Sequence, residues 1–339
     1  MKKLLSVAAL SAASALVVAA CGGSSNSAAS GSMDARTRDA MPSSSTLAMA
    51  PPSSSSSAHR EVSPDSSVGD SSVFLADTVQ LGVSVNTGVI WTLGLLKSIT
   101  DLTPNSCTDT ACTWGPGALA LDPVSWKFEV SYDAGSGAYD YTLSGQAKSG
   151  GDGQFHSVVT GTATPTGVAH RGTGNFTVDL DESHALNPNK SDVGKLQVSY
   201  SNATAGTASI NATFLGTADS THAGQTDNAL YTYAEDGIGG GSLQAAARNL
   251  TSGNLLSIDS RWVASGAGRA DVGVTIKDGT GSAFTATESE CWASSTSTTP
   301  APYHVVYFSS SDAANLGADS GSAANCAFAT AQPTSLNAP

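Results

Sequence analysis

Five charged residues in the C-terminal third could act together chemically. They are Arg261 in Ser260-Arg261-Trp262, Arg269 and Asp271 in Gly268-Arg269-Ala270-Asp271, and Glu288 and Glu290 in Glu288-Ser289-Glu290-Cys291-Trp292. All three stretches lie in alternating runs and so come from successive strands. Two residues apart on one strand, Glu288 and Glu290 share a face, and Arg261, Arg269 and Asp271 can meet them across the pairing. Carboxylates roughly 5–10 Å apart carry out acid–base hydrolysis, as in glycosidases. The same set equally makes a structural ion-pair network, which is the expectation adopted.

Two other groups could hold a ligand. Asp179-Leu180-Asp181-Glu182 with Asn187, Asn189 and Asp192 collects oxygen donors. It lacks the spacing and glycine of a calcium loop, so a polar strand end and a loop are expected. Trp126, Tyr139, Tyr141 and Trp262 are candidate lining for an apolar ligand cavity, although aromatic residues at strand spacing are also ordinary core. There is no Gly-x-Ser-x-Gly elbow, His-Glu-x-x-His, phosphate loop or EF-hand loop. His59, His156, His170, His184, His222 and His304 are scattered without ligand spacing. No metal and no cofactor are expected, and catalysis is not the expected role.

Two kinds of element must position these residues. From Val73 to Leu102, Phe74, Thr78, Leu81, Val85, Val89, Leu93, Leu96 and Ile99 recur every three or four residues, which predicts a helix. Asn86-Thr87-Gly88 could divide it, and Thr103-Pro104-Asn105 ends it. Beyond it the period becomes two. Trp126, Phe128, Val130 and Tyr132 alternate with polar residues, Ala134-Gly135-Ser136-Gly137 turns the chain, and Tyr139, Tyr141 and Leu143 answer. The pattern repeats to Ser309 and predicts about eleven antiparallel strands. The fold class read from this is mainly β (α+β): a strongly curved antiparallel sheet or open barrel packed on an N-terminal helix.

The 339 residues carry a formal net charge of −13 with only 13% charged residues, against a typical value of about 25%. Removing residues 1–20, which contain Lys2 and Lys3, takes the charge to −15. That excludes nucleic acid and anionic headgroups as electrostatic partners. Residues 21–72 hold no aromatic side chain and are rich in serine and proline. They are expected to be a disordered tether spanning about 40 Å. A single β-rich domain is expected over 73–330, with a flexible tail at 331–339.

The N-terminus supplies an address. Lys2 and Lys3 precede an uncharged apolar run, Leu4 to Ala20, as in a secretory signal peptide. Val18-Ala19-Ala20-Cys21 then resembles the lipobox of bacterial lipoproteins. The resemblance implies cleavage before Cys21 and acylation of that residue. It also implies export and anchorage to the outer membrane, since Gly22 stands where the family places an inner-membrane retention aspartate. Cys107, Cys112, Cys291 and Cys326 remain, an even set in an oxidising compartment. Of three connectivities, local pairing is expected: Cys107 with Cys112 and Cys291 with Cys326. Cys112-Thr113-Trp114-Gly115-Pro116, Tyr139-x-Tyr141-x-Leu143, Gly172-x-Gly174-x-Phe176-x-x-Asp179, Leu186-Asn187-Pro188 and Val198-x-Tyr200 resemble a group of uncharacterised bacterial lipoproteins. More remotely, the expected architecture resembles the lipoprotein-localisation factors. Three functions stand as expectations: an envelope module that binds a lipid or other apolar ligand, a structural or surface-interaction lipoprotein with a filled core, and a carboxylate hydrolase.

Overall fold

The computed structural model describes residues 32–50, 52, 72–118, 122–149, 151–218, 224–277, 283–293, 303–309, 320–332 and 337–339. The expected signal peptide, Cys21 and residues 22–31, 51 and 53–71 of the expected tether lie outside them. The chain divides into two compact units. Among described residues, one contains 32–48 and 87–208, and the other those of 49–86 and 209–339.

The helix read from the apolar stripe is a single α-helix. Preceded in the chain by α1 (Met33–Ala40) and α2 (Ser44–Leu47), α3 runs without interruption over Val73–Thr100. Phe74, Thr78, Leu81, Val85, Val89, Leu93 and Leu96 are all buried. Long and apolar enough to cross a membrane by composition, α3 instead presents this stripe to protein. Its threonines are accommodated because Thr78, Thr92 and Thr100 donate to carbonyls four residues back. No break occurs at Asn86-Thr87-Gly88. The Asn86 side chain accepts from the Met49 N–H at 2.8 Å and donates to the Met49 carbonyl at 2.9 Å, so it does not compete for its own helix backbone.

In the first unit α1 begins at Ser32, whose side chain caps Ala35 N–H, and carries an Asp34–Arg38 ion pair one turn apart. It stops before Pro42, as the residue preceding a proline avoids the helical region. The strands follow in chain order: β1 (Ser106–Cys107), β2 (Ala111–Gly117), β3 (Val124–Asp133), β4 (Ala138–Ala147), β5 (His156–Pro165), β6 (Gly172–Asp179) and β7 (Lys195–Ser201). Each is antiparallel to the next. Between β6 and β7 lies α4 (Leu180–Leu186).

In the second unit β8 (Ser209–Ala218), β9 (Thr226–Glu235), β10 (Gly241–Asn249), β11 (Leu255–Trp262), β12 (Gly268–Lys277), β13 (Ala283–Trp292), β14 (Tyr303–Ser309) and β15 (Ser320–Gly321) continue the antiparallel meander. The fold is therefore mainly β, with antiparallel strands that do not close and one long N-terminal helix. Among the described residues twelve strands lie between Val124 and Ser309, against the roughly eleven read from the alternation.

Two expected boundaries are corrected. Part of the tether, residues 32–50, is ordered and packed: Met33 and Met41 are each 3% exposed. Arg36 donates to the Asp109 carbonyl at 2.6 Å and lies over the Tyr132 ring, while Arg38 donates to the Thr100 carbonyl. The compositional reading failed because this segment borrows its apolar contacts from strands distant in the chain. The expected flexible tail is also partly tied down, since the Ala338 and Pro339 carbonyls accept from Arg248 and Asn228.

Candidate functional site

Strand parity decides the fate of the five charged residues. Across β11, β12 and β13, Ser260 pairs with Ala270, which pairs with Glu290. Ser260 Oγ lies 2.6 Å from Thr78 Oγ1 on α3, so this row faces the helix. Glu290, 3% exposed, accepts from the Phe74 N–H at 2.8 Å and the Val73 N–H at 3.3 Å. It caps α3 and neutralises the positive end of the helix. Glu288 is on the same side of β13, paired with Val272.

The neighbouring row faces the other way. Asp259 pairs with Asp271, which pairs with Ser289, and Arg261 pairs with Arg269, which pairs with Cys291. Arg269 reaches Asp271 Oδ1 at 2.9 Å, Ser289 donates to the same oxygen at 2.6 Å, and Arg261 stands 3.6 Å from Asp271 Oδ2. Arg261, Arg269 and Asp271 are thus one network, but Glu288 and Glu290 are not part of it. That expectation is corrected because the side-chain period is two, and an offset of one residue sends a side chain through to the other face. No acid–base pair of Glu288 and Glu290 with the arginines exists.

A carboxylate missing from the sequence reading completes this face. Asp259, 3% exposed, stands directly opposite Asp271. Like charges so placed repel, and separate donors relieve them. Gln244 donates to Asp259 at 2.6 Å, and the Gln332 amide, with its nitrogen on that side, reaches both Asp259 oxygens at 2.7 and 2.9 Å. Burial raises the Asp259 pKa above its ordinary value, with the Asp271 charge adding and Gln244 and Arg261 opposing. Its signal in the sequence was Asp259 alternating with Arg261 on one strand.

The C-terminal chain lies across the same face. The Cys291–Cys326 disulfide fixes one end. Arg269 Nη1 donates to the carbonyls of Phe328 and Ala329 at 3.3 and 2.9 Å, and Arg261 Nη2 to that of Thr330 at 2.8 Å. The Arg261 guanidinium lies 4.8 Å from the centre of the Phe328 ring, and Gln332 N–H donates to Asp271 Oδ2 at 2.9 Å. The second expected disulfide, Cys107–Cys112, joins directly opposed residues of β1 and β2.

The four aromatic residues do not share one place. Tyr139 stacks on Tyr132 at 4.9 Å between ring centres. The other three each lie over a glycine directly across the ladder: Trp126 over Gly145, Tyr141 over Gly161 and Trp262 over Gly241. Tyr200 over Gly174 and Trp292 over Gly268 repeat the arrangement. A Cβ on Gly161 would stand 2.5 Å from the Tyr141 ring. At Tyr141, Tyr200, Trp262 and Trp292, all buried, the rings occupy the volume that side chains at the glycines would take, whereas Trp126 is half-buried and donates through its indole N–H to Asp122 at 3.0 Å.

The oxygen-rich stretch at 179–192 is likewise committed to structure. Asp179 caps α4 through the Glu182 N–H and pairs with Lys195, and Asp181 accepts from the Gly194 N–H at 2.7 Å. The loop expected after Asp179 is corrected: Leu180–Leu186 is the helix α4, and Asp179 followed by Glu182 is the spacing of a capped helix start, a signal the sequence reading did not use. Glu182 also stands 3.4 Å from His156, whose other nitrogen meets Asp152 at 3.0 Å. That contact with Asp152 raises the His156 pKa. Lys190 donates to Ser183 Oγ at 2.9 Å, and burial lowers its pKa. Among the described residues no group of three or more His, Cys, Asp or Glu side chains could hold a metal ion. Comparison with known protein families, with curated proteins and with solved structures finds no match.

Proposed function

We propose that this is a lipid-anchored bacterial envelope protein, attached to the outer membrane through Cys21, which works through its surface and not through catalysis or an interior ligand. The observation that carries this reading is the placement of Tyr141 and Trp262, both almost fully buried, over cross-strand glycines, where each ring is used as core. The use of Glu290 as a helix cap supports it, because that carboxylate is engaged with the Val73 and Phe74 N–H groups. The N-terminal pattern Val18-Ala19-Ala20-Cys21 supports the anchor. The serine-rich stretch at 53–71 suits a short spacer between anchor and domain.

Native mass spectrometry of the full-length protein extracted from membranes in detergent tests this. The expected mass is the chain from Cys21 plus its acyl groups, with those groups lost in Cys21→Ser. A further stoichiometric lipid or apolar molecule that survives detergent exchange would overturn the surface reading and restore an interior-ligand module.

A further inference from the structure

The C-terminal segment is held in an unusual way for a tail. From Cys326 on β13 it passes over β12 and β11, and residues 338 and 339 meet β10 and β9, so it touches five consecutive strands on the face away from α3. Among the described residues, most polar contacts the sheet makes with it are to main chain. Arg269, Arg261, Arg248 and Asn228 donate to the main-chain oxygens of Phe328, Ala329, Thr330, Ala338 and Pro339, and Asp271 accepts from the Gln332 N–H. Three described side chains of the strap are engaged: Cys326 in its disulfide, Phe328 against Arg261 and Gln332 against Asp259. The strap's own residues are small and largely exposed. Beneath it, Arg269, Asp271 and Asp259 are almost fully buried. A buried ionic cluster is a weak source of stability compared with apolar packing. The contacted stretch is not a strand, since the chain bends at 326–328 and again at 330, but donors and acceptors aimed at main-chain groups are what recognition of a peptide requires.

We propose that the face of β9–β13 opposite α3 is a binding site for a peptide segment, filled in cis by the C-terminal strap and latched by Cys291–Cys326. The partner is a segment of another protein with small side chains and one aromatic residue to lie over Arg261. This rests on the surface-acting reading above and names its class of partner. Opening the latch needs a dithiol reductant. Its thiolate attacks Cys326 Sγ, the more accessible sulfur, since Cys291 is fully buried. Cys291 leaves as a thiolate and takes up a proton. The reductant's second thiolate then displaces Cys326 from the mixed disulfide. Two electrons pass to the protein, both cysteines end as thiols, and the reductant ends as its own disulfide.

The test uses the full-length protein in detergent, oxidised and dithiol-reduced, with a fluorescent synthetic peptide of residues 320–339 carrying Cys326→Ser as the probe. The oxidised protein is expected to bind no peptide. The reduced protein is expected to keep its far-ultraviolet circular dichroism, to lose hydrogen-exchange protection at Gln332, and to bind the peptide saturably. Arg269→Ala should weaken that binding at least tenfold, and so should the paired change Arg248→Ala with Asn228→Ala, which leaves the buried cluster intact. A reduced, folded protein that binds no peptide overturns the proposal. So does a reduced protein that unfolds, because the disulfide then holds the fold and not a latch. Dimerisation on reduction without peptide binding overturns it in favour of strap exchange between copies. Failure here leaves the lipid-mass result untouched, so the two readings are judged separately.

Discussion

Glu290 offers the sharpest test, because the same side chain is a helix cap in one account and a reactive carboxylate in another. α3 has no acidic residue in its first turn, and Ser72 Oγ serves only the Leu75 N–H. The N–H groups of Val73 and Phe74 therefore depend on β13. The Phe74 contact, at 2.8 Å to a charged acceptor, is worth about 1.5–3 kcal/mol. The Val73 contact, at 3.3 Å, is beyond the usual range and adds little. The attraction between carboxylate and helix end is the same interaction seen another way and is not added. Glu290→Ala also strands the buried Phe74 donor and the part-buried Val73 donor, so a loss of about 3 kcal/mol is expected. Glu290→Gln keeps one acceptor oxygen and should lose roughly 1–1.5 kcal/mol. For a protein of this size the alanine variant should melt roughly 6–12 °C lower. Hydrogen exchange should show Val73 and Phe74 amides losing protection in both variants, more in alanine. If both variants stay within about 0.5 kcal/mol of the parent and the two amides remain protected, the capping role is refuted and a reactive Glu290 returns to consideration.

Glycines give a paired prediction. Gly161→Ala places a Cβ 2.5 Å from the Asn175 carbonyl and from the Tyr141 ring, and should cost about 3 kcal/mol. Gly94→Ala on α3, where a Cβ meets nothing within 4 Å, should gain about 0.5–1 kcal/mol; equal effects in urea unfolding would sink the ring-over-glycine account. Asp259 has its folded pKa raised above 3.8 by burial. The folded state thus holds its proton more tightly, and stability contributed by Asp259 grows as pH falls from neutral through that raised value. Measured against Asp259→Asn, the parent should gain relative stability between pH 7 and pH 4, and a flat or opposite trend would contradict the burial. His156 has its pKa raised above 6.5, first by the hydrogen bond to Asp152 and further by the charges of Asp152 and Glu182, against desolvation. Its stabilising contribution is complete below pH 6.5 and disappears as pH rises through the folded value; an NMR titration of His156 at or below 6.5 would rule this out.

Much of this protein was determined by local pattern. The 3.6-residue stripe through Phe74, Leu81, Val85, Val89, Leu93 and Leu96 specified α3, since only a helix brings those residues to one side. Strict alternation specified the strands, and nearest-neighbour cysteines specified both disulfides. Long-range geometry decided the rest. Residues 32–50 read as tether because their apolar surroundings are supplied by residues far along the chain, among them Tyr132 and Tyr233. Asn86 read as a helix break because its true partner, Met49, is 37 positions away. Glu288 and Glu290 read as partners of Arg261 and Arg269 because each strand's alternation shows only which residues share a face on that strand. Which face meets its neighbour is set by register, and register is a property of paired strands. The C-terminal strap was legible at its pin, Cys291–Cys326, but its course over β12 and β11 was not: the contacts there run mostly to main-chain carbonyls, which every residue carries and which leave no mark in a sequence.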